Sequence, residues 1–133
     1  MVNDQLSDFL TRIRNAGMAR STKVDVFNCK MNRKVAEILA KEGYIKGAKE
    51  VTGVALPTLR VYLKFENGDL RKPLINGLRR ISRPGLRQYV QSDKLPRVMS
   101  GFGLAIISTS SGVLTGKECK EKGIGGEHLC SVW

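Results

Sequence analysis

The chain is poor in the residues that carry most covalent and metal chemistry. It has three cysteines, Cys29, Cys119 and Cys130, an odd number with no CxxC pair among them. That pattern argues against a disulfide framework and a zinc knuckle, and for reduced, mostly buried thiols in a cytosolic protein. The one histidine, His128, sits beside apolar Leu129. A Ser-His-Asp arrangement would have to use it, and no nucleophile elbow accompanies it. No Walker-type phosphate loop occurs, and neither Gly101-Phe102-Gly103 nor Gly123-Ile124-Gly125-Gly126 has the spacing of a dinucleotide fingerprint. The sequence thus predicts no enzyme, no cofactor and no metal site. No apolar run approaches the roughly 20 residues of a membrane span. The first residues, with Asn3, Asp4 and Asp8 and no basic region, do not read as a signal peptide.

Acidic residues are scarce as well. There are 12 Asp plus Glu against 23 Lys plus Arg, a net charge of +11. Such an excess repels itself in a compact chain and points to a polyanionic partner. The excess is concentrated between Arg71 and Arg97, where eight basic residues (Arg71, Lys72, Arg79, Arg80, Arg83, Arg87, Lys94, Arg97) face only Asp93. Most are arginines, whose planar guanidinium pairs bidentately with phosphate. The 41% apolar content suffices for a modest core, and 133 residues fit one domain or two small lobes.

Periodicity predicts a first helix over Asp4 to Ala16, with Leu6, Phe9, Leu10 and Ile13 on one face, Asn3 or Asp4 as cap and Gly17 as terminator. Val24 to Phe27 reads as a short strand. Met31, Val35, Ile38 and Leu39 mark a second helix stopped by Gly43. Tyr44 to Val51 and Thr58 to Phe65 read as strands joined by a turn at Val54 to Pro57, and Asn67-Gly68 is a hairpin signal. The first half is therefore α-β-α-β-β. The second half is richer in Gly and turns. Leu74 to Leu78 and Tyr89-Val90 are short strand candidates, and Ser82-Arg83-Pro84-Gly85 is a turn. Leu95 to Met99 is expected to form a helical turn, and Leu104 to Ser108 a buried strand. Thr115 caps a short helix to Lys122 through a capping box with Glu118, Gly123 ends it, and Leu129 to Trp133 closes the fold. The expected fold class is α+β in two small lobes, residues 1–67 and a mainly β lobe with a short helix, residues 68–133.

Ser108-Thr109-Ser110-Ser111-Gly112 is an unbroken hydroxyl run after an apolar strand. Hydroxyls both donate and accept, which suits phosphate oxygens, ribose hydroxyls and base edges, and Gly112 allows close backbone approach. By spacing alone the run is an ordinary polar turn; the arginine cluster in the same half makes a nucleic-acid contact the sharper reading. Tyr89, beside the basic turn, is a base-stacking candidate, with core packing equally open. Trp133 reads as a packed anchor, and Glu127 as a carboxylate that holds loop backbone or a basic neighbour. Neither long helix is basic enough to read as a DNA recognition helix.

Three stretches, in order and suitably spaced, resemble the bacterial-type or organellar small-subunit ribosomal protein eight family: Phe9 to Ala16; Arg80 to Tyr89; and Ser108 to Thr115, continuing to Gly123 to Cys130. The resemblance spans essentially the whole chain. It implies a two-lobe α+β fold, direct binding to the central domain of small-subunit ribosomal RNA and a role in assembling it. It places Ser108, Thr109, Ser110 and Gly112 on the RNA contact loop. A second contact turn holds Ser82, Pro84, Gly85 and Tyr89; Arg83 and Arg87, which belong to the basic cluster at that turn, are expected to attract phosphate. Gly125, Gly126 and Glu127 fall on the loop that supports them, and Thr11, Arg12 and Asn15 on an RNA-touching face of the first helix. It further implies neighbouring small-subunit proteins as partners, a monomer off the ribosome, no membrane, a cytoplasmic or organellar ribosome as the location, and, in some members, repression of the protein's own mRNA. Two positions depart from the family pattern. Ser111 stands where a basic or amide residue is usual, and Cys119 where a small apolar one is.

Overall fold

The protein is described by a computed structural model covering residues 4–133, so the proposed Asn3 cap lies outside the described residues. The chain divides into two compact units, one ending at Asn76 and the other running from Gly77 to Trp133. Each has its own antiparallel sheet, and the fold is α+β.

The first unit follows the α-β-α-β-β order: α1 (Gln5–Met18), β1 (Lys23–Phe27), α2 (Lys30–Lys41), β2 (Ile45–Val51) and β3 (Thr58–Leu63). Asp4 caps α1, its carboxylate accepting from the Ser7 N–H at 3.1 Å. The buried stripe is Leu6, Phe9, Leu10, Ile13 and Ala16. Gly17 does not end this helix. The chain runs on to Met18, and Arg20, at φ 61°, takes the left-handed position that closes it. The Ser21 N–H donates to the Ala16 carbonyl at 2.9 Å and the Arg20 N–H to Gly17 at 3.2 Å, the paired bonds of a Schellman motif. Helix α2 ends as expected, with Gly43 at φ 84°. Its inner face holds an unexpected residue. Asn32 is fully buried, whereas Met31 is only partly so, because the Asn32 amide donates to the Phe27 carbonyl at 2.9 Å and ties the end of β1 to the helix. The sheet order is β1-β3-β2, with Leu59, Val61 and Leu63 of the central strand buried on the same face as Val26 and Ile45.

Asn67-Gly68 does reverse the chain. Both residues have positive φ, and the Asp69 N–H donates to the Glu66 carbonyl at 2.9 Å. The return arm is shorter than expected. Phe65 bridges Pro73, and the Leu74 N–H donates to the Lys64 carbonyl at 3.0 Å. Residues 69–74 therefore complete the first unit, and the Leu74 to Leu78 strand does not form there. The ladder of the second unit begins only at Gly77, which exchanges two hydrogen bonds with Trp133.

The second unit contains β4 (Leu78–Arg80), β5 (Tyr89–Val90), β6 (Leu104–Thr109), β7 (Gly112–Thr115), α3 (Gly116–Lys122) and β8 (Gly126–Val132). The sheet order is β4-β8-β6-β7. β5 also pairs with β8, so β4 and β5 lie end to end along one edge of it. The Thr115 capping box is present, and Gly123 closes α3 at φ 67°. The helical turn expected over Leu95 to Met99 is instead a short turn over Val98–Gly101, with Met99 and Ser100 in the left-handed region. The chain has to turn tightly there to seat Gly103 on Val98, whose carbonyl accepts the Gly103 N–H at 2.9 Å. Trp133 does pack as an anchor: a Cβ added to Gly77 would lie 2.3 Å from its indole ring.

Candidate nucleic-acid interface

The sequence-predicted residues of the second unit gather at one end of its sheet. Strand pairing sets Tyr89 of β5 opposite Glu127 of β8, Glu127 opposite Ser108 of β6, and Ser108 opposite Val113 of β7. Directly opposed residues share a face, so this row crosses the sheet on one side. Beyond it the β6–β7 hairpin turns through Ser110 and Ser111, both exposed, with Thr109 paired to Gly112 at φ 108°. A two-residue turn of this kind needs backbone that glycine supplies readily.

The hydroxyls of the run are not equivalent. Thr109 Oγ1 donates to the Gly112 carbonyl at 2.7 Å and accepts from the Ser111 N–H at 3.1 Å, so it builds the turn. Ser110 at the tip and Ser111 beside it are both exposed. Ser108 is half-buried on the sheet row.

On the other flank the chain leaves the edge of β8 at Ser82 and returns at Gln88. Arg83 and Leu86 exchange two 3.0 Å hydrogen bonds, which makes Pro84-Gly85 the tip of a tight turn. The φ of Gly85 is not positive, so its backbone does not require glycine. A Cβ there would meet nothing within 4 Å. Arg83, Pro84, Gly85, Arg87 and Tyr89 are all exposed, Tyr89 at 72%. That decides between stacking platform and core packing for Tyr89 in favour of an open ring.

Ser82 is the exception. It is fully buried, so its hydroxyl lies beneath the surface. Its Oγ accepts from the Gln88 N–H at 3.1 Å and donates to Glu127 Oε2 at 2.5 Å. The same carboxylate oxygen accepts from Arg87 Nη1 at 2.9 Å. Glu127 thus joins the buried serine to the exposed arginine. Partial burial pushes its pKa up, but the Ser82 hydroxyl and the guanidinium of Arg87, with help from the charge of Arg80, outweigh this and hold it below the ordinary value. Arg80 itself turns inward and donates to the Leu129 carbonyl at 3.0 Å, so not every arginine of the cluster faces outward.

Gly125 and Gly126 are required by the protein's own packing. A Cβ on Gly125 would lie 2.2 Å from the Val90 carbonyl oxygen, and one on Gly126 would lie 2.1 Å from that of Ser108. These glycines let β5 and β6 close on the start of β8. Thr11, Arg12 and Asn15 belong to the first unit, on the exposed side of α1, where Arg12 Nε pairs with Asp8 Oδ2 at 2.9 Å. Sequence reasoning missed Gln88, whose backbone carbonyl accepts the His128 N–H at 2.9 Å while its own N–H holds Ser82. Nothing in its type marks it, because only its backbone takes part.

His128 is buried one residue along β8, with Nε2 3.1 Å from Ser131 Oγ. Burial lowers its pKa below 6.5, against a smaller opposing effect of its backbone hydrogen bond to Cys130. Cys119 and Cys130 are buried free thiols, and burial pushes Cys130 up to about 12. The two depressed pKa values predict acid sensitivity of this unit. Below about pH 6.5 the unfolded chain protonates His128 more readily than the folded one, so its contribution is full above that value and lost as pH falls. Glu127 contributes fully above its ordinary 4.5 and loses that contribution as pH drops through its lower folded value. Unfolding followed by Trp133 fluorescence should show stability falling from pH 7 to pH 5, and His128→Gln should flatten that portion alone.

The second unit thus belongs to a class of small α+β modules that present a hydroxyl-tipped hairpin, an arginine turn and an open tyrosine at one end of an antiparallel sheet. Comparison with known sequences gives the particular family. The profile described as ribosomal protein S8 matches residues 4–133, and the chain belongs to that structural, non-enzymatic family. It is 49% identical over 132 residues to the small ribosomal subunit protein uS8 of Citrifermentans bemidjiense, covering 99% of this chain and 98% of the relative. It is 46% identical, with the same coverage, to the protein of that name from Desulfitobacterium hafniense. It is 47% identical to the small ribosomal subunit protein uS8c of Rhodomonas salina, over the full length of both. Among the described residues no helix is long and apolar enough to cross a membrane.

Proposed function

We propose that this chain is a structural constituent of the small ribosomal subunit that binds the central domain of small-subunit ribosomal RNA directly and promotes its assembly. The observation that carries the reading is the cross-strand row Tyr89–Glu127–Ser108, which sets the arginine turn and the hydroxyl hairpin at one end of one sheet. Arg83 and Arg87 supply salt-sensitive attraction to phosphates. Ser108 and Ser110, with the backbone around Gly112, read the shallow groove of an irregular RNA helix, where 2′-hydroxyls and base edges lie within reach of short side chains. Tyr89 stacks on an unpaired base. Thr109, Ser82, Gly125, Gly126 and Glu127 hold these groups in place, and Thr11, Arg12 and Asn15 add a contact from the first unit. The protein acts as a monomer that meets neighbouring small-subunit proteins on the ribosome, in the cytoplasm or an organelle. A message that folds into a mimic of the ribosomal site would be bound by the same residues and repressed.

The two kinds of contact predict two phenotypes. Arg83→Gln should weaken binding to the central-domain RNA and to an unrelated duplex alike, and reduce the salt slope by about one unit. Ser110→Ala should weaken the central-domain complex while leaving the unrelated duplex unchanged. A salt titration of both variants on both RNAs separates them, and equal losses for Ser110→Ala would remove the groove-reading role.

A further inference from the structure

The outer face of the sheet in the first unit has no role in the surface described above. Alternation along β3 buries Leu59, Val61 and Leu63 and turns Thr58, Arg60 and Tyr62 the other way. Tyr62 lies opposite Lys23 on β1 and Gly47 on β2, and Arg60 lies opposite Asp25 and Lys49. A β-bulge between Ile45 and Gly47 leaves Lys46 without a partner of its own, next to Gly47 and exposed. Lys64 follows Tyr62 by one alternation and is also exposed. Register therefore sets the half-exposed Tyr62 on one face with Lys23, Lys49 and Arg60, and the exposed Lys46 and Lys64 lie next to this face along their strands. The only acid in this set is Asp25, held by Arg60 at 2.8 and 3.1 Å.

Gly47 sharpens the picture. A Cβ there would meet nothing within 4 Å, and its φ is not positive, so the fold itself does not demand glycine. Glycine there places no side chain opposite Tyr62 on that strand. Lysines alone would suit any polyanion, including an acidic protein surface. An aromatic ring at their centre, open on one side, suits a polyanion whose units also carry flat bases. Sheets that bind single-stranded RNA combine these elements: bases stack on aromatic rings and the backbone follows flanking cations.

We propose that this face is a second RNA-binding surface, taking an unpaired segment with one base stacked on Tyr62 and its phosphates on Lys23, Lys46 and Lys49. The test uses the full chain and two probes: a labelled oligouridylate of about twelve nucleotides, and heparin, a polyanion without bases. Tyr62→Thr, which keeps a strand-forming residue but removes the ring, should weaken oligouridylate binding about tenfold and leave heparin binding unchanged. Tyr62→Phe should bind like the parent. Lys49→Gln should weaken both probes and lower the salt dependence. Unchanged oligouridylate affinity in Tyr62→Thr overturns the proposal. So does a pattern in which only the lysine substitution matters, which is the signature of an acidic protein partner. If Tyr62→Thr does not fold by circular dichroism, photo-cross-linking of the parent chain to 4-thio-oligouridylate decides: a cross-link in the β3 peptide holding Tyr62 supports the surface, and its absence there sinks it. Ser110→Ala run in parallel keeps the two readings separate, because it alters central-domain recognition without touching the Tyr62-dependent affinity.

Discussion

Gly126→Ala is expected to cost the second unit about 3 kcal/mol or more and to abolish the RNA contact proposed for it. The added Cβ would sit 2.1 Å from the Ser108 carbonyl oxygen and 2.9 Å from its carbon, and those atoms belong to backbone that cannot swing aside. Relief requires β6 and β8 to separate where Ser108 pairs with Glu127, which is the middle of the candidate surface. Stability and recognition should therefore fall together. The single tryptophan, Trp133, lies on the same strand's continuation and reports this unit in a urea titration. Gly85→Ala is the matched comparison. Its added methyl meets nothing within 4 Å and its backbone is ordinary, so the urea midpoint should not move. If Gly85→Ala nonetheless weakens RNA binding, the close approach there is made by the RNA. A Gly126→Ala chain that unfolds at the parent's midpoint would show that the strands separate without cost, and would remove the packing account.

Ser82→Ala and Glu127→Ala carry the second large effect. Ser82 is buried, and its hydroxyl is at once acceptor for the Gln88 N–H and donor to Glu127. Removing it leaves a backbone donor and a carboxylate short of a partner, at about 1–3 kcal/mol. Removing Glu127 releases Arg87 as well, so the guanidinium loses the 2.9 Å contact that holds it to the sheet. The double substitution should cost clearly less than the sum of the singles, because the two residues act through one hydrogen bond. Central-domain affinity should drop in both single variants, although neither side chain needs to touch RNA. Additive stability losses would mean that the short Ser82–Glu127 bond contributes nothing. Wild-type affinity in Glu127→Ala would mean that Arg87 needs no positioning.

Much of this was readable from residue order alone, for reasons that are local. Apolar spacing at three and four residues specifies α1 and α2, since a helix must bury one stripe. Glu118 three residues after Thr115 specifies the start of α3, because the two reciprocal bonds are made within one turn. Asn67-Gly68 reverses the chain because both residues accept positive φ. What depended on distant partners was not readable. Ser82 looks like any turn serine until β8 places Glu127 against it, 45 residues away. Gly125 and Gly126 look like a flexible loop until Val90 and Ser108 close on them. Arg80 belongs to the basic cluster by sequence and to the interior by its bond to Leu129. The Leu74 segment, held to the first unit by the Lys64 carbonyl, follows the same rule. Composition and short-range spacing set most of the elements, because those depend on neighbours along the chain. Which hydroxyl faces outward, which arginine is held and which glycine is indispensable depend on strand register, and only the tertiary structure decided them.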